Sequence, residues 1–210
     1  MIRILMADDH AIVREGLKHI IAKTDDMTVS GEADSGQQLL DKVREQRFDV
    51  LLLDIGMPGR NGLEVLKQIK TDLPRLPVLV LTIYPEEQYA LRVLRAGASG
   101  YLTKESAPER LVEAIRKVSA GGRYVSPSLA ERLAVEAAGD ISKPLHESLS
   151  DREYQVFCMI ASGKTASEIA DELSLSVKTI STHRARLLRK MQMKNNSELT
   201  HYAMQNHLVD

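Results

Sequence analysis

Val50-Leu51-Leu52-Leu53-Asp54 decides the fold: four large aliphatic residues in a row, followed at once by a carboxylate. An unbroken apolar run of this length reads as a strand buried on both faces, as at the centre of a parallel sheet. A carboxylate just past its end then falls where parallel sheets hold their ligands. Outward from this run the same pattern repeats. Ile2–Ala7, Met27–Ala33, Val78–Leu81 and Gly100–Leu102 are further strand candidates. Between them apolar residues recur at helical spacing, as in Val13, Leu17, Ile20 and Ile21, then Leu63, Leu66 and Ile69, then Leu111, Ile115 and Val118. Five strands alternating with five helices predict an α/β domain over residues 1–120, a five-stranded doubly wound parallel sheet.

The remainder of the chain has a different character. Gly121-Gly122 stops the fifth helix, and Ser126-Pro127 opens a possible helix over Ser128–Ala138. Gly139–His146, with Pro144, reads as loop, so residues 121–147 are expected to form a linker. Four short helices are expected over 148–210, an all-α domain. Ser150-Asp-Arg-Glu153 and Thr165-Ala-Ser-Glu168 are capping boxes, with Leu149 and Tyr154 spaced as a hydrophobic staple for the first. Ser176 is the expected cap of the third helix, and Asn196 or Ser197 that of the fourth. Only Leu173-Ser-Leu-Ser176 separates the second from the third, the tight connection of a helix-turn-helix.

Composition narrows the function. The 210 residues carry a net charge of −1, and 43% of them are hydrophobic, enough for buried cores. Residues 1–120 hold 17 Lys/Arg against 18 Asp/Glu, and 149–210 hold 8 against 7. Yet Ser176–Lys194 holds six Lys/Arg and no acid, so any nucleic-acid surface is local. Cys158, the one cysteine, rules out an intramolecular disulfide and reads as core; the six histidines form no zinc pattern. No apolar stretch approaches the ~18 residues of a membrane helix, and Met1-Ile-Arg begins a strand rather than a leader. A soluble cytoplasmic protein with no membrane partner is expected.

Several polar residues gather at the strand ends. Asp8-Asp9 follow the first strand, Asp54 the third, Thr82 ends the fourth, and Lys104 follows the fifth. In a parallel sheet these ends share one edge, so residues distant in sequence meet there. Three carboxylates at one edge repel one another unless a hard divalent cation, such as Mg²⁺, neutralises them. An aspartate beside such an ion can attack phosphorus and form an acyl phosphate. Singly, each has a plainer reading: Asp8 or Asp9 as the cap of the first helix, Lys104 as a solvated lysine.

These residues resemble the receiver domain of bacterial two-component response regulators, with a flavodoxin-like sheet. The resemblance rests on Asp8-Asp9-His10, Asp54-Ile-Gly-Met-Pro-Gly-Arg-Asn-Gly62, Leu81-Thr82 and Ala96-Gly-Ala-Ser-Gly-Tyr-Leu-Thr-Lys104. It implies that Asp54 is the phosphoacceptor and that Asp8, Asp9, Asp54 and the Gly56 carbonyl hold Mg²⁺. It also implies that Thr82 and Tyr101 are a switch pair, Tyr101 turning inward on phosphorylation, and that Lys104 binds the phosphoryl group. Pro58 would shape the loop after Asp54, and Gly62 would ease a close backbone approach. Where many receivers have a small residue after the switch threonine, this chain has Ile83.

On the third carboxyl-terminal helix, Ile180, Leu187 and Met191 fall on one face and Lys178, Ser181, Thr182, Ala185 and Arg189 on the other, with Arg186 at the border. Small polar residues edged by cations suit a major groove. Lys178, Arg186, Arg189, Lys190 and Lys194 are candidates for phosphates, and Ser181, Thr182 and Ala185 for base edges. His183 reads as a packing residue. Residues 149–207 resemble the LuxR/NarL-type DNA-binding domain through Leu149-Ser-Asp-Arg-Glu153, Gly163, Glu168-Ile-Ala170, Leu173 and Ser176–His183. In order, the two halves resemble a NarL-family response regulator. That implies a phosphorylation-controlled regulator of transcription, dimeric when phosphorylated, with its recognition helix then released. The implied partners are double-stranded DNA, a sensor histidine kinase and RNA polymerase. No enzyme activity is expected beyond the receiver's own phosphoryl transfer and dephosphorylation. An aspartate-nucleophile phosphatase would need a cap domain and a second acid after Asp54; a protein-binding adaptor would not need the basic helix.

Overall fold

The computed structural model describes residues 1–137 and 144–209. They divide into two compact units, Met1–Leu133 and Ala134–Asp210. The first contains strands β1 (Ile2–Ala7), β2 (Met27–Ala33), β3 (Val50–Leu53), β4 (Val78–Thr82) and β5 (Gly100–Thr103). All neighbours pair in parallel, in the order β2-β1-β3-β4-β5. The crossovers are α1 (Ala11–Ile21), α2 (Gly36–Glu45), α3 (Gly62–Asp72) and α4 (Glu86–Arg95), and α5 (Ala107–Ser119) follows β5. β4 and β5 each run one residue past the sequence expectation, because Thr82 and Thr103 still pair with each other.

The strand pleat sorts the core. Ile4, Met6, Val50, Leu52, Leu79, Leu81 and Leu102 share one face with Leu17, Ile21, Leu111, Ile115 and Val118 from α1 and α5. Along β1, β3 and β5 that alternation carries on to Asp8, Asp54 and Lys104. Three charged residues from three separate loops therefore arrive in the same pleat phase. The order reverses between β1 and β3, which opens a crevice beyond their carboxyl ends, where Asp8 and Asp54 lie. Gly62 makes the turn after Asp54 possible, since a Cβ there would sit 2.4 Å from the Ile55 Cα.

The segment expected as a linker begins as part of the first unit. Gly121, at φ +85°, turns the chain out of α5. Tyr124 then bridges to Gly100 on the edge strand: its N–H donates to the Ser99 carbonyl, and its own carbonyl accepts from Tyr101 N–H. The following helix, α6, spans Pro127–Ala137, one residue earlier than its expected start. Ala138 and residues 139–143 of the expected loop lie outside the described residues.

In the second unit, Leu145–Ser148 form a 3-10 turn rather than the expected loop, held by His146 Nδ1 3.0 Å from the Tyr202 hydroxyl. Helices α7 (Asp151–Ala161), α8 (Ala166–Glu172), α9 (Val177–Lys190) and α10 (Asn196–Gln205) follow. α7 packs against α9 and α10, and α8 against α9. Both capping boxes form as the spacing implies, and Leu149 and Tyr154 are buried beside the first. The cap of α10 is Asn195, not Asn196 or Ser197: its side chain accepts from the Glu198 N–H. α9 stops at Lys190, short of Lys194, because Gln192 turns to φ +56° and the Met193 N–H closes back on the Leu188 carbonyl. No described helix is long and apolar enough to cross a membrane.

Candidate functional site

At the carboxyl edge of the sheet, Asp54 and Asp8 are both buried, with Lys104 between them. The Lys104 Nζ lies 2.5 Å from Asp54 Oδ2 and 2.6 Å from Asp8 Oδ2. The other Asp54 oxygen, Oδ1, accepts from the Gly56 N–H at 2.7 Å. Burial pushes the Asp54 carboxyl above its usual range, against the opposing pull of Lys104 and the Gly56 amide. Burial also opposes the Lys104 ammonium, but Asp54 and Asp8 outweigh it and hold its pKa above that of an ordinary lysine.

Ligand atoms of Asp8, Asp9, Asp54 and His10 lie within 4.8 Å of one another. Three carboxylates facing one ammonium leave a surplus of negative charge, and the set is rich in hard oxygen donors, so a divalent cation fits it. His10 was not among the candidates from sequence. Its Nδ1 is 3.1 Å from Asp9 Oδ1 and 3.3 Å from Asp8 Oδ1, and its N–H donates to Asp8 Oδ1. Its position directly after the aspartate pair was the available signal. It also takes the cap position of α1, the plainer reading of Asp8 or Asp9, without a side-chain cap bond.

Thr82 and Tyr101 share the opposite face of the sheet. The Thr82 hydroxyl is fully buried and has no hydrogen-bond partner among the described residues. A buried hydroxyl in that condition is costly unless something completes it. Tyr101 is already inward, fully buried, with its hydroxyl donating to the Tyr84 carbonyl at 2.8 Å. Burial, then Glu86 and Asp54, push its phenol well above the ordinary range. Ile83 is 68% exposed. It lines a hollow of about 460 Å³ together with Lys104, Glu105, Glu86 and Glu87.

The second site is α9. Ile180, Leu187 and Met191 are buried, while Lys178, Ser181, Thr182, Ala185, Arg186 and Arg189 are exposed, as the helical periodicity implies. Lys178, Arg186 and Arg189 have no ionic partner among the described residues. Two sequence candidates differ from this group. Lys190 reaches back across the helix packing to Glu153 Oε2 at 2.5 Å, so its charge is engaged inside the unit. Lys194 lies beyond the helix, its backbone N–H donating to Glu198 as α10 begins. Arg184, which sequence reasoning left out, is held by Asn196 Oδ1 at 2.6 Å. The hydroxyls of Ser181 and Thr182 donate to the carbonyls of Val177 and Lys178, which leaves only their acceptor lone pairs facing outward.

Comparison with known proteins places these two sites in context. Residues 4–116 match the response regulator receiver domain, and residues 147–203 match the bacterial regulatory proteins of the luxR family. The chain is 39% identical over 211 residues to the response regulator GacA of Pseudomonas viridiflava, covering 100% of this chain and 99% of that one. It is 36% identical to the response regulator UvrY of Escherichia coli K12, covering 100% and 97%. Among solved structures it is similar to RcsB from Salmonella enterica serovar Typhimurium, bound to promoter rprA in the presence of the phosphomimetic BeF3⁻. There the identity is 27% and the TM-score 0.66, over 96% of this chain and 97% of that one.

Proposed function

Since the chain belongs to the response regulators that join a receiver domain to a luxR-family regulatory domain, we propose that phosphorylation of Asp54 controls its binding to DNA. Residues 1–120 are then the receiver, 121–147 the linker and 148–210 the DNA-binding domain. The observation that carries this reading is the buried Asp54, held between Gly56 N–H and Lys104 at the open end of the sheet. A family member of this kind regulates transcription and is not an enzyme in the ordinary sense. Its chemistry is confined to its own phosphoryl group.

A carboxylate oxygen of Asp54 attacks the phosphorus of a phosphohistidine on a sensor kinase, the P–N bond breaks, and the imidazole leaves. An acyl phosphate results. Lys104 transfers its contact from the carboxylate to the phosphoryl oxygens, and the Thr82 hydroxyl donates to one of them, gaining the partner it lacks. Mg²⁺ held by Asp8, Asp9, Asp54 and the Gly56 carbonyl would neutralise the charge gathered there. Water later hydrolyses the acyl phosphate. Ile83, at the rim of the hollow that Lys104 lines, screens that water. Ile83→Ala should therefore shorten the phosphorylated lifetime by roughly two- to fivefold, a barrier change of about 1 kcal/mol or less. Decay of acid-stable, base-labile label with time measures it, and an unchanged lifetime would mean that this side chain stands clear of the water's path.

On the DNA side, Lys178, Arg186 and Arg189 provide a cationic border and Ser181, Thr182 and Ala185 the base-facing strip. Lys194 can add a phosphate contact from beyond the helix; Lys190 can do so only by leaving Glu153. One helix-turn-helix covers few base pairs, so two copies on half-sites about one turn apart are expected, with the phosphorylated protein a homodimer. The partners are double-stranded DNA, a histidine kinase and RNA polymerase, in the bacterial cytoplasm. Sedimentation and genomic footprinting of the full chain, with and without acetyl phosphate, test this. The expected result is a shift toward dimer, a freed recognition helix and stronger protection, all absent in Asp54→Ala. Identical oligomeric state and footprint in every arm would refute it.

A further inference from the structure

Three hydrogen bonds, joined by two short stretches of backbone, close a ring that ties the start of the linker to β5 and to the amino end of α4. From Thr82 the chain runs through Ile83, Tyr84 and Pro85 directly into α4, whose first residue is Glu86. The Tyr101 hydroxyl of β5 donates to the Tyr84 carbonyl at 2.8 Å, and the Tyr101 N–H donates to the Tyr124 carbonyl at 3.1 Å. Two residues after Tyr124, the Ser126 hydroxyl donates to Glu86 Oε2 at 2.6 Å. The ring thus passes through Tyr101, Tyr84, Glu86, Ser126 and Tyr124 and returns to Tyr101. Gly100 permits its closure, since a Cβ at that position would lie 2.7 Å from the Tyr124 carbonyl oxygen.

Ser126 has a double role in this ring. Its oxygen accepts from the Leu129 N–H at 3.1 Å, capping the first turn of α6, while its proton goes to Glu86 in the first turn of α4. A hydroxyl has one proton, so the 3.0 Å contact with Ser128 must be donated by Ser128. One side chain therefore joins the amino ends of two helices, one following the Thr82 loop and one leading out of the first unit.

We propose that the Ser126 hydroxyl, bonded to Glu86 while it caps α6, is the coupling element that passes a shift of the Thr82–Glu86 segment to the linker helix. The inference rests on the proposed function, because it takes phosphorylation at Asp54 as the source of the shift. A phosphoryl group that engages the Thr82 hydroxyl pulls on the segment Ile83–Pro85. Glu86 moves with that segment, and the bond to Ser126 carries α6 along. The Tyr101–Tyr124 bond keeps this part of the linker on β5, so the displacement is taken up by α6 instead of being lost in a loose tether.

Replacing Ser126 by Asp separates the two roles. Aspartate is as good a helix cap as serine, but its carboxylate repels Glu86 where the hydroxyl donated. The test measures affinity of the full chain for a duplex selected from genomic fragments by the phosphorylated wild-type protein, with and without acetyl phosphate. Ser126→Asp should take the same acyl-phosphate label as wild type, yet its phosphorylation-dependent gain in affinity should fall by about tenfold, as expected for losing a hydrogen bond to a charged group. The double variant Ser126→Asp with Glu86→Lys restores attraction across the same gap and should recover the gain. A full gain in Ser126→Asp, or no recovery in the double variant, overturns the coupling role of Ser126 alone. Absence of any gain in the wild type overturns the proposed function and this inference with it.

Discussion

Asp54→Asn is expected to abolish labelling by acetyl phosphate, a loss on the order of a hundredfold or more, because an amide oxygen is not a nucleophile toward phosphorus. The variant isolates chemistry from folding. An asparagine keeps the volume of the side chain, and its oxygen can still accept the Gly56 N–H that Asp54 Oδ1 now accepts. Lys104 loses one of two carboxylates but retains Asp8, 2.6 Å away, so its ammonium is not left unpaired. Wild-type protein should take one phosphoryl group, labile to base and to hydroxylamine as an acyl phosphate is. Asp9→Ala should make labelling absent or independent of Mg²⁺, since the remaining carboxylates carry less charge for the ion to neutralise. Stoichiometric label on Asp54→Asn would move the phosphoacceptor to another residue.

Arg189→Ala and Thr182→Ala should differ in kind when DNA binding is measured over a range of salt. Arg189 is exposed on α9 with no ionic partner among the described residues, so its loss should weaken specific and nonspecific duplexes alike. The slope of log affinity against log salt should drop by about 0.9 for one lost phosphate contact. Thr182→Ala should cost mainly the specific site, on the order of 1–3 kcal/mol. The fold should tolerate this change, because the hydroxyl's bond to the Lys178 carbonyl contributes little to helix stability. With its proton engaged there, Thr182 offers only lone pairs outward. The partner expected for it is a base-edge donor, such as the amino group of cytosine or adenine in the major groove. Equal losses on both duplexes for Thr182→Ala would mean that this strip does not read sequence.

The charge pattern does not distinguish the surroundings of its cations. Six basic residues in Ser176–Lys194 look alike in sequence. Among the described residues Lys178, Arg186 and Arg189 have no ionic partner, Lys194 lies beyond the helix, Lys190 pairs with Glu153, and Arg184 bonds to Asn196. Glu153 already closes the capping box of α7. That box was legible from Ser150 and Glu153 three residues apart. The lysine 37 positions away was not, because nothing local encodes which glutamate a long side chain will reach.

What the sequence by itself determined is everything carried by short periods. Short apolar stretches marked five strands, spacings of three and four marked α1, α3, α5 and α9, and Ser/Thr-x-x-Glu placed two helix starts. The two-residue pleat even assigns Asp8, Asp54 and Lys104 to one face, since each continues the alternation of its strand. These signals are legible because the interactions behind them join residues within one turn or one pleat. The tertiary structure alone decided the rest: the Tyr124 bridge to Gly100, the bond from Ser126 to Glu86, the inward seat of Tyr101, and the Thr82 hydroxyl without a partner among the described residues. Each depends on how separate elements meet at a given distance and angle, and the packing of whole strands and helices sets that geometry.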